Sequence, residues 1–380
     1  MNQTILLLGQ IDWPENICLA RALHDAGWSV EFVTTEGGAA ALSRWLHLRQ
    51  VDAFNSSTMQ KLLAETSHRS DVAWILPLDE TTIQLCNELA PDDTRLLPRI
   101  PAEQRLMLEN KSSMSAYAAS LGINIPEMMQ VDEEQPLLDQ ASRIGYPLVL
   151  KAEVGGGGEN VALCADEAAL VAAQTRVPPP QRILQRMIQG RPWKAGGFYI
   201  DGQPVMRQSF EVIVQAPART GPPAYVRNDS PTELVESLDR MAASLKWTGY
   251  FQIDMIREAD GRFYFLEINP RPWSAMIAAL PAGTPIFAPL CDYLAGRTAQ
   301  VNLQQQDGWE GYVFPRPVSV QARELNHWGI LRTLCTPAFW RSAPALDRHS
   351  LIYMAKHIYW DWSKARRQAG QSARLAPQHQ

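Results

Sequence analysis

A chain of 380 residues with 46% hydrophobic and 20% charged side chains is long enough for two or three domains, each with its own core. Its formal charge of −5 provides no strong basic field, which speaks against a general nucleic-acid binder. Five dispersed cysteines (Cys18, Cys86, Cys164, Cys291, Cys335) form no CxxC pair or zinc spacing, no signal peptide is legible at the N-terminus, and no long apolar run occurs. The expectation is a reduced, cytoplasmic protein without a transmembrane segment.

Thr4–Leu8 is a compact apolar run that predicts a buried first strand. Asp12 and Pro14 suit a helix start, Ile17, Leu19, Ala20 and Leu23 supply its apolar positions, and Gly27 stops it. Trp28–Thr34 predicts the next strand, which completes a βαβ opening without the GxGxxG dinucleotide fingerprint. Val72–Pro77 predicts another buried strand. Asp79 and Glu80 follow it and lead into the amphipathic run Thr81–Leu89. Acidic residues just past such a strand sit where open α/β sheets bind ligands, and they are equally ordinary at a helix start. Glu80 is therefore a candidate substrate contact, and Pro91–Pro101 is a candidate linker.

A second unit is expected from about Arg105. Lys111–Leu121 predicts a helix closed by Gly122, and Tyr146–Ala152 predicts an apolar strand that carries Lys151 at its end. Gly155, Gly156, Gly157 and Gly158 follow. Glycines let backbone N–H groups approach oxyanions, and a lysine adds a mobile charge. No GK[ST] follows, so this is not a Walker A loop, and a flexible hairpin turn would read the same way. Ile183–Ile188 predicts a strand leading to Gly190. Gly196–Ile200 and Val205–Glu211 predict paired strands about the turn Asp201-Gly202. Pro217–Pro223 is a loop whose Arg219 is a candidate substrate contact or a solvated arginine. Pro231–Leu245 predicts a helix.

The most informative stretch is 251–271, which predicts a hairpin of two β-prone runs about an Asp- and Gly-containing turn. If Ala259–Arg262 form a four-residue loop, Asp254 lies across from Glu267. Glu267 and Asn269 then share a face of their strand. Two carboxylates and an amide oxygen suit Mg²⁺, which takes few protein ligands and completes its shell with phosphates and water. Arg271 could hold a carboxylate or phosphate in its fork of donors. Beyond Gly311, Trp328, Trp340, Trp360 and Trp362 are interleaved with Arg and His. Packing on the core is the expectation there, with a dimer contact or a place on a membrane surface also open. The polar end, Gln368–Gln380, is expected to fray.

Lys111, then Lys151 with its glycine loop, then Leu184–Gly190, then the Asp254/Glu267/Asn269 set form an ordered series that resembles the ATP-grasp superfamily between about residues 100 and 295. Leu266-Glu-Ile-Asn-Pro-Arg271 carries most of the likeness, and Tyr146-Pro-Leu-Val-Leu-Lys151 is next. Within the superfamily the chain looks most like the carbon–nitrogen ligases related to carbamoyl-phosphate synthase large subunits. The fold class implied is α/β and α+β. It has an N-terminal βαβ domain (1–98), a lid with the glycine-rich loop (105–182), an ATP-grasp body with the metal site (183–300) and a Trp-rich helical extension (311–380).

The resemblance implies that Lys111 and Lys151 contact ATP phosphates and that Gly155–Gly158 form a lid over them. It puts Gln185 near the adenine amino group, with Met187 and Ile188 lining the adenine slot. Asp254, Glu267 and Asn269 would hold Mg²⁺, with Mn²⁺ as a substitute, and Arg271 would stabilise an acyl phosphate or tetrahedral intermediate. Two departures stand out. Pro192 and Trp193 occupy the place of the family's ribose-binding Glu, and Gln252 stands where D-alanine–D-alanine ligases have an Arg. The expected activity is ATP-dependent joining of a small-molecule carboxylate to an amine, in a protein that could form a homodimer. A nucleotide-binding scaffold that has lost turnover and a small-molecule kinase are the rival readings.

Overall fold

The computed structural model describes residues 3–10, 14–35, 43–155, 160–216, 221–343, 352, 355–356 and 358–367. Three sheets organise them. The first is built from β1 (Thr4–Gly9), α1 (Pro14–Asp25), β2 (Ser29–Thr34), β3 (His47–Gln50), α2 (Ser56–Ser67), β4 (Val72–Pro77) and α3 (Glu80–Leu89). Its strands run parallel in the order β3-β2-β1-β4. All six residues of β1 are buried, as expected of a central strand covered on both faces. The proposed linker is not loose, because Leu96, Leu97 and Ile100 are buried and Leu97 N donates to Ile75 O at 3.0 Å.

The second sheet follows α4 (Ala102–Glu109) and α5 (Lys111–Ser120). It comprises β5 (Met128–Gln130), α6 (Leu137–Ile144), β6 (Leu148–Ala152), β7 (Val161–Cys164), α7 (Glu167–Ala173) and β8 (Arg182–Arg186). Its strands are antiparallel in the order β5-β8-β6-β7. The strand predicted over Ile183–Ile188 thus ends two residues early.

The third sheet contains β9 (Gly190–Ile200), β10 (Gln203–Gln215), β11 (Pro223–Asn228), α8 (Thr232–Ser244), β12 (Gly249–Glu258) and β13 (Phe263–Asn269). A 3-10 helix (Ser274–Ala282), α9 (Ala288–Leu294) and a short strand, β14 (Glu310–Tyr312), complete it. The antiparallel order is β13-β12-β9-β10-β11-β14. Asp201 and Gly202 both take positive φ, +48° and +74°, which a two-residue type I′ hairpin turn demands. β9 is longer at its start than the sequence predicts. A proline loses only one ladder bond, so Pro192 is tolerated there, and Gly196 gives room for the Trp273 indole lying on it.

Cross-strand pairing fixes what shares a face. One row runs Glu267–Asp254–Lys194–Phe210–Asn228, and the next runs Asn269–Gln252–Gly196–Gln208. This face packs against the first sheet, with Phe198, Met206, Phe210 and Trp273 in one cluster with Ile5, Leu7 and Phe32. The opposite face buries Ile253, Met255 and Phe265 against α8 and α5.

The β12–β13 turn corrects the four-residue-loop premise. Near the tip Arg257 pairs with Phe263, one residue out of the assumed register. Leu266 is then an extra residue on β13, a β-bulge, and it restores the opposition of Asp254 and Glu267.

The chain then builds α10 (Arg316–Arg323), α11 (His327–Leu334), α12 (Pro337–Arg341) and helical turns within 352–367. Phe314, Val318 and Phe339 form their small core, against which Ile330, Leu334, Trp340 and Ile358 pack. β14 joins this unit to the third sheet by pairing with β11. Among the described residues no helix is long and apolar enough to cross a membrane.

Candidate active site

Two walls face each other where the second and third sheets meet. The acidic wall is the end of the β12–β13 ladder. Asp254 is opposite Glu267 and Gln252 is opposite Asn269, so two carboxylates and two amides occupy one patch. Asn269 donates to Glu267 Oε1 at 3.4 Å. Asp254 is fully engaged: Lys194 from β9 forms an ion pair with Oδ2, and Gln252 donates to Oδ1. A resident ammonium thus neutralises a carboxylate that the sequence assigns to a metal.

The donor set still fits a hard divalent cation that arrives with phosphate. Among the described residues no three His, Cys, Asp or Glu side chains gather into a metal cage. Asp254, Glu267 and the Asn269 amide oxygen would be too few ligands alone, and phosphate oxygens and water would complete the shell.

The basic wall comes from the second sheet. Lys151 is buried at the end of β6 and Lys111 is buried at the first turn of α5. Burial, with the Lys111 charge beside it, brings the Lys151 ammonium down to about 8. Burial likewise lowers Lys111, against the opposing pull of Glu267, Glu153 and Glu80. These couplings put both lysines in the field of Glu267. Lys111 Nζ donates to the Gly155 carbonyl, so one candidate phosphate contact holds the start of the glycine loop. Glu153, 5% exposed, fixes the wall: its carboxylate accepts from Ser112 N and Ser112 Oγ, both at 2.9 Å. It thereby satisfies a free N–H of the α5 start.

Arg271 closes the end of the acidic wall. Its Nε donates to Glu80 Oε1 at 2.8 Å and an Nη donates to Asn269 Oδ1 at 3.3 Å. Burial alone would make this guanidinium easier to deprotonate, but Glu80 overrides it and the pKa stands above the ordinary value. The two acids after β4 divide their work. Asp79 caps α3, accepting from Thr82 N at 2.9 Å and Gln10 N at 2.6 Å, which leaves Glu80 to reach across to Arg271.

Gln185 lies on β8 and is 3% exposed, and its Nε2 has no hydrogen-bond partner. Met187 N donates to Pro147 O at 3.2 Å just past the strand, and Ile188 is buried. Gly156, Gly157, Gly158 and Arg219 lie outside the described residues.

Sequence reasoning missed Lys194, Ser112 and the role of Glu153. Lys194 could have been found from the period-two alternation Lys194, Gly196, Phe198 had β9 been started at Gly190. Glu153 carried no signal, because its partner is a helix start forty-one residues earlier.

The family model described as the ATP-grasp domain matches residues 108–275. The large chain of carbamoyl phosphate synthase from Thermus thermophilus is 24% identical over 231 residues, 57% of this chain and 22% of that protein. This chain spans less than two thirds of the curated relatives it matches, from 6% of one to 57% of another. Among solved structures, N5-carboxyaminoimidazole synthetase from Staphylococcus aureus complexed with ADP superposes with a TM-score of 0.63 at 14% identity. The match covers 80% of this chain and 81% of that one. The biotin carboxylase domain of Hydrogenobacter thermophilus 2-oxoglutarate carboxylase, in complex with MgADP, ADP and bicarbonate, gives 0.62 at 16% identity, covering 80% and 73%. At these identities the likeness is one of fold.

Proposed function

We propose that this chain, whose residues 108–275 match the ATP-grasp domain, is an ATP- and magnesium-dependent carboxylate–amine ligase. One observation carries the reading: the buried pair Lys111 and Lys151 stands in the field of Glu267, which shares a patch with Asp254, Asn269 and Arg271. That is a place for a polyphosphate, a hard cation and a carboxylate together. The fold relative solved with MgADP supports nucleotide and magnesium.

In this reading Lys151 and Lys111 neutralise the phosphates. Asp254, Glu267 and Asn269 would hold Mg²⁺, which when bound would offset the charge that develops on the transferred phosphoryl group. Arg271 orients the acid substrate so that its carboxylate oxygen attacks the γ-phosphorus and ADP leaves. The amine then attacks the activated carbonyl, and phosphate and a proton leave as the amide forms. Gly155–Gly158 exclude water from the activated acid. Residues 1–98 and 183–300 supply the substrate cleft, and 105–182 closes on it.

Purified protein should release ADP and phosphate only when MgATP, an acid and an amine are all supplied, with an amide as the product. A phosphorylated product without amide would make it a kinase. Binding of MgATP with no turnover across a broad acid and amine panel would make it a scaffold.

A further inference from the structure

We propose that the C-terminal extension is a docking surface for an anionic lipid bilayer. Charge is divided unevenly along the chain. Residues 316–380 contain 10 Lys and Arg against 3 Asp and Glu, a formal +7, while residues 1–315 contain 25 against 37, a formal −12. The overall charge of −5 conceals this split. A cationic segment on an acidic body is drawn to a negative surface while the body is repelled from it, which orients the approach.

The extension also keeps three aromatics and a leucine in water. Trp328 is 82% exposed, Leu331 52%, Tyr359 67% and Trp360 59%. Trp328, Leu331 and Arg332 lie within one turn of α11, at spacings that share a helix face. In the last helical stretch Lys356, Tyr359, Trp360, Lys364, Arg366 and Arg367 are exposed. The one acid there, Asp361, is buried and paired with Arg323 of α10 at 2.8 Å, so it does not dilute the outward charge. Trp or Tyr bodies beside Lys and Arg match the headgroup–acyl boundary, where the rings sit half-immersed and the cations meet phosphates. A nucleic acid would satisfy the cations but give an exposed Leu331 nothing, so lipid is the occupant the composition favours. With no described helix long enough to span, the extension would lie on the surface.

The test is vesicle flotation of the full chain, with phosphatidylcholine alone and with about one third phosphatidylserine. The expected result is binding to the anionic vesicles only, weakened by salt, with tryptophan emission shifting to the blue. The triple variant Arg332→Glu/Lys364→Glu/Arg367→Glu should lose at least about tenfold in partitioning. Trp328→Ser/Trp360→Ser should bind more weakly without losing salt sensitivity. MgATP binding, measured on the same samples without lipid, should stay unchanged and controls for folding. Equal binding to both vesicle types, or undiminished binding of the charge-reversed variant, overturns the proposal. So does a short duplex DNA that binds as tightly as the anionic vesicles do.

Discussion

The two walls of the cleft solve opposite electrostatic problems. On the basic wall, two lysines are buried side by side and lowered in pKa, a cost the fold carries before any nucleotide arrives. On the acidic wall, Asp254 is already neutralised by Lys194 and Gln252. One wall is strained toward a polyanion, and the other is satisfied and must exchange a partner to take a metal. Ligand binding should therefore relieve the first and disturb the second, so loss of Lys151 and loss of Lys194 should change the stability of the free protein in opposite directions.

The acidic wall should break most completely at Glu267. Glu267→Ala should lower MgATP-dependent turnover by about a thousandfold or more, since metal and charge stabilisation at one centre are lost together. Circular dichroism and the unfolding midpoint should stay near those of the parent. A variant that still turns over MgATP normally would remove the cation from this wall.

The basic wall makes the contrasting case. Lys151→Met should cost on the order of a hundredfold in kcat/KM for ATP while stabilising the nucleotide-free protein by roughly 1–3 kcal/mol, because an unpaid desolvation disappears. Denaturant unfolding with and without nucleotide separates the two effects.

Lys194→Met sharpens the comparison from the other side. The free protein should lose roughly 1–3 kcal/mol as Asp254 is left with a buried charge, and half-saturation by Mg²⁺ should fall severalfold as the competing ammonium is gone. Thermal shift against Mg²⁺ concentration, at fixed ATP, reads both.

The smallest effect is one of pH. Lys151 titrates near 8 in the folded chain and near 10.5 in the unfolded one. Between those values the unfolded chain holds the extra proton, so the stability of the free protein should rise with pH across that window and be flat below it. Nucleotide affinity should move the other way, weakening severalfold as pH rises through about 8. Calorimetry in buffers of different ionisation enthalpy should show proton uptake on binding near pH 8.

The legibility of these walls in the sequence follows from how local their causes are. β1 and β4 are continuous apolar runs bounded by polar or breaker residues, and their ends were readable to within a residue. The Asp254–Glu267 opposition was readable from hairpin alternation, although the turn assumed for it was wrong and the Leu266 bulge supplied the missing offset. Lys194 was readable only on a β9 begun at Gly190, and its meaning depends on that strand lying between β12 and β10. The Glu153–Ser112 contact and the β11–β14 pairing are tertiary facts with no local pattern. The strand over Glu310–Tyr312 is three residues long, too short for periodicity to register.

Leu266 has a practical corollary. Because the irregularity lies between the hairpin tip and the carboxylates, the tip keeps its own geometry, closed by Glu258 N donating to Arg262 O at 2.9 Å. A short reporter peptide spliced between Asp260 and Gly261 would sit outside the part of the ladder that aligns Asp254 with Glu267. Removal of Leu266 alone should leave a regular ladder in which Asp254 still faces Glu267, since the residue lost is the one without a cross-strand partner.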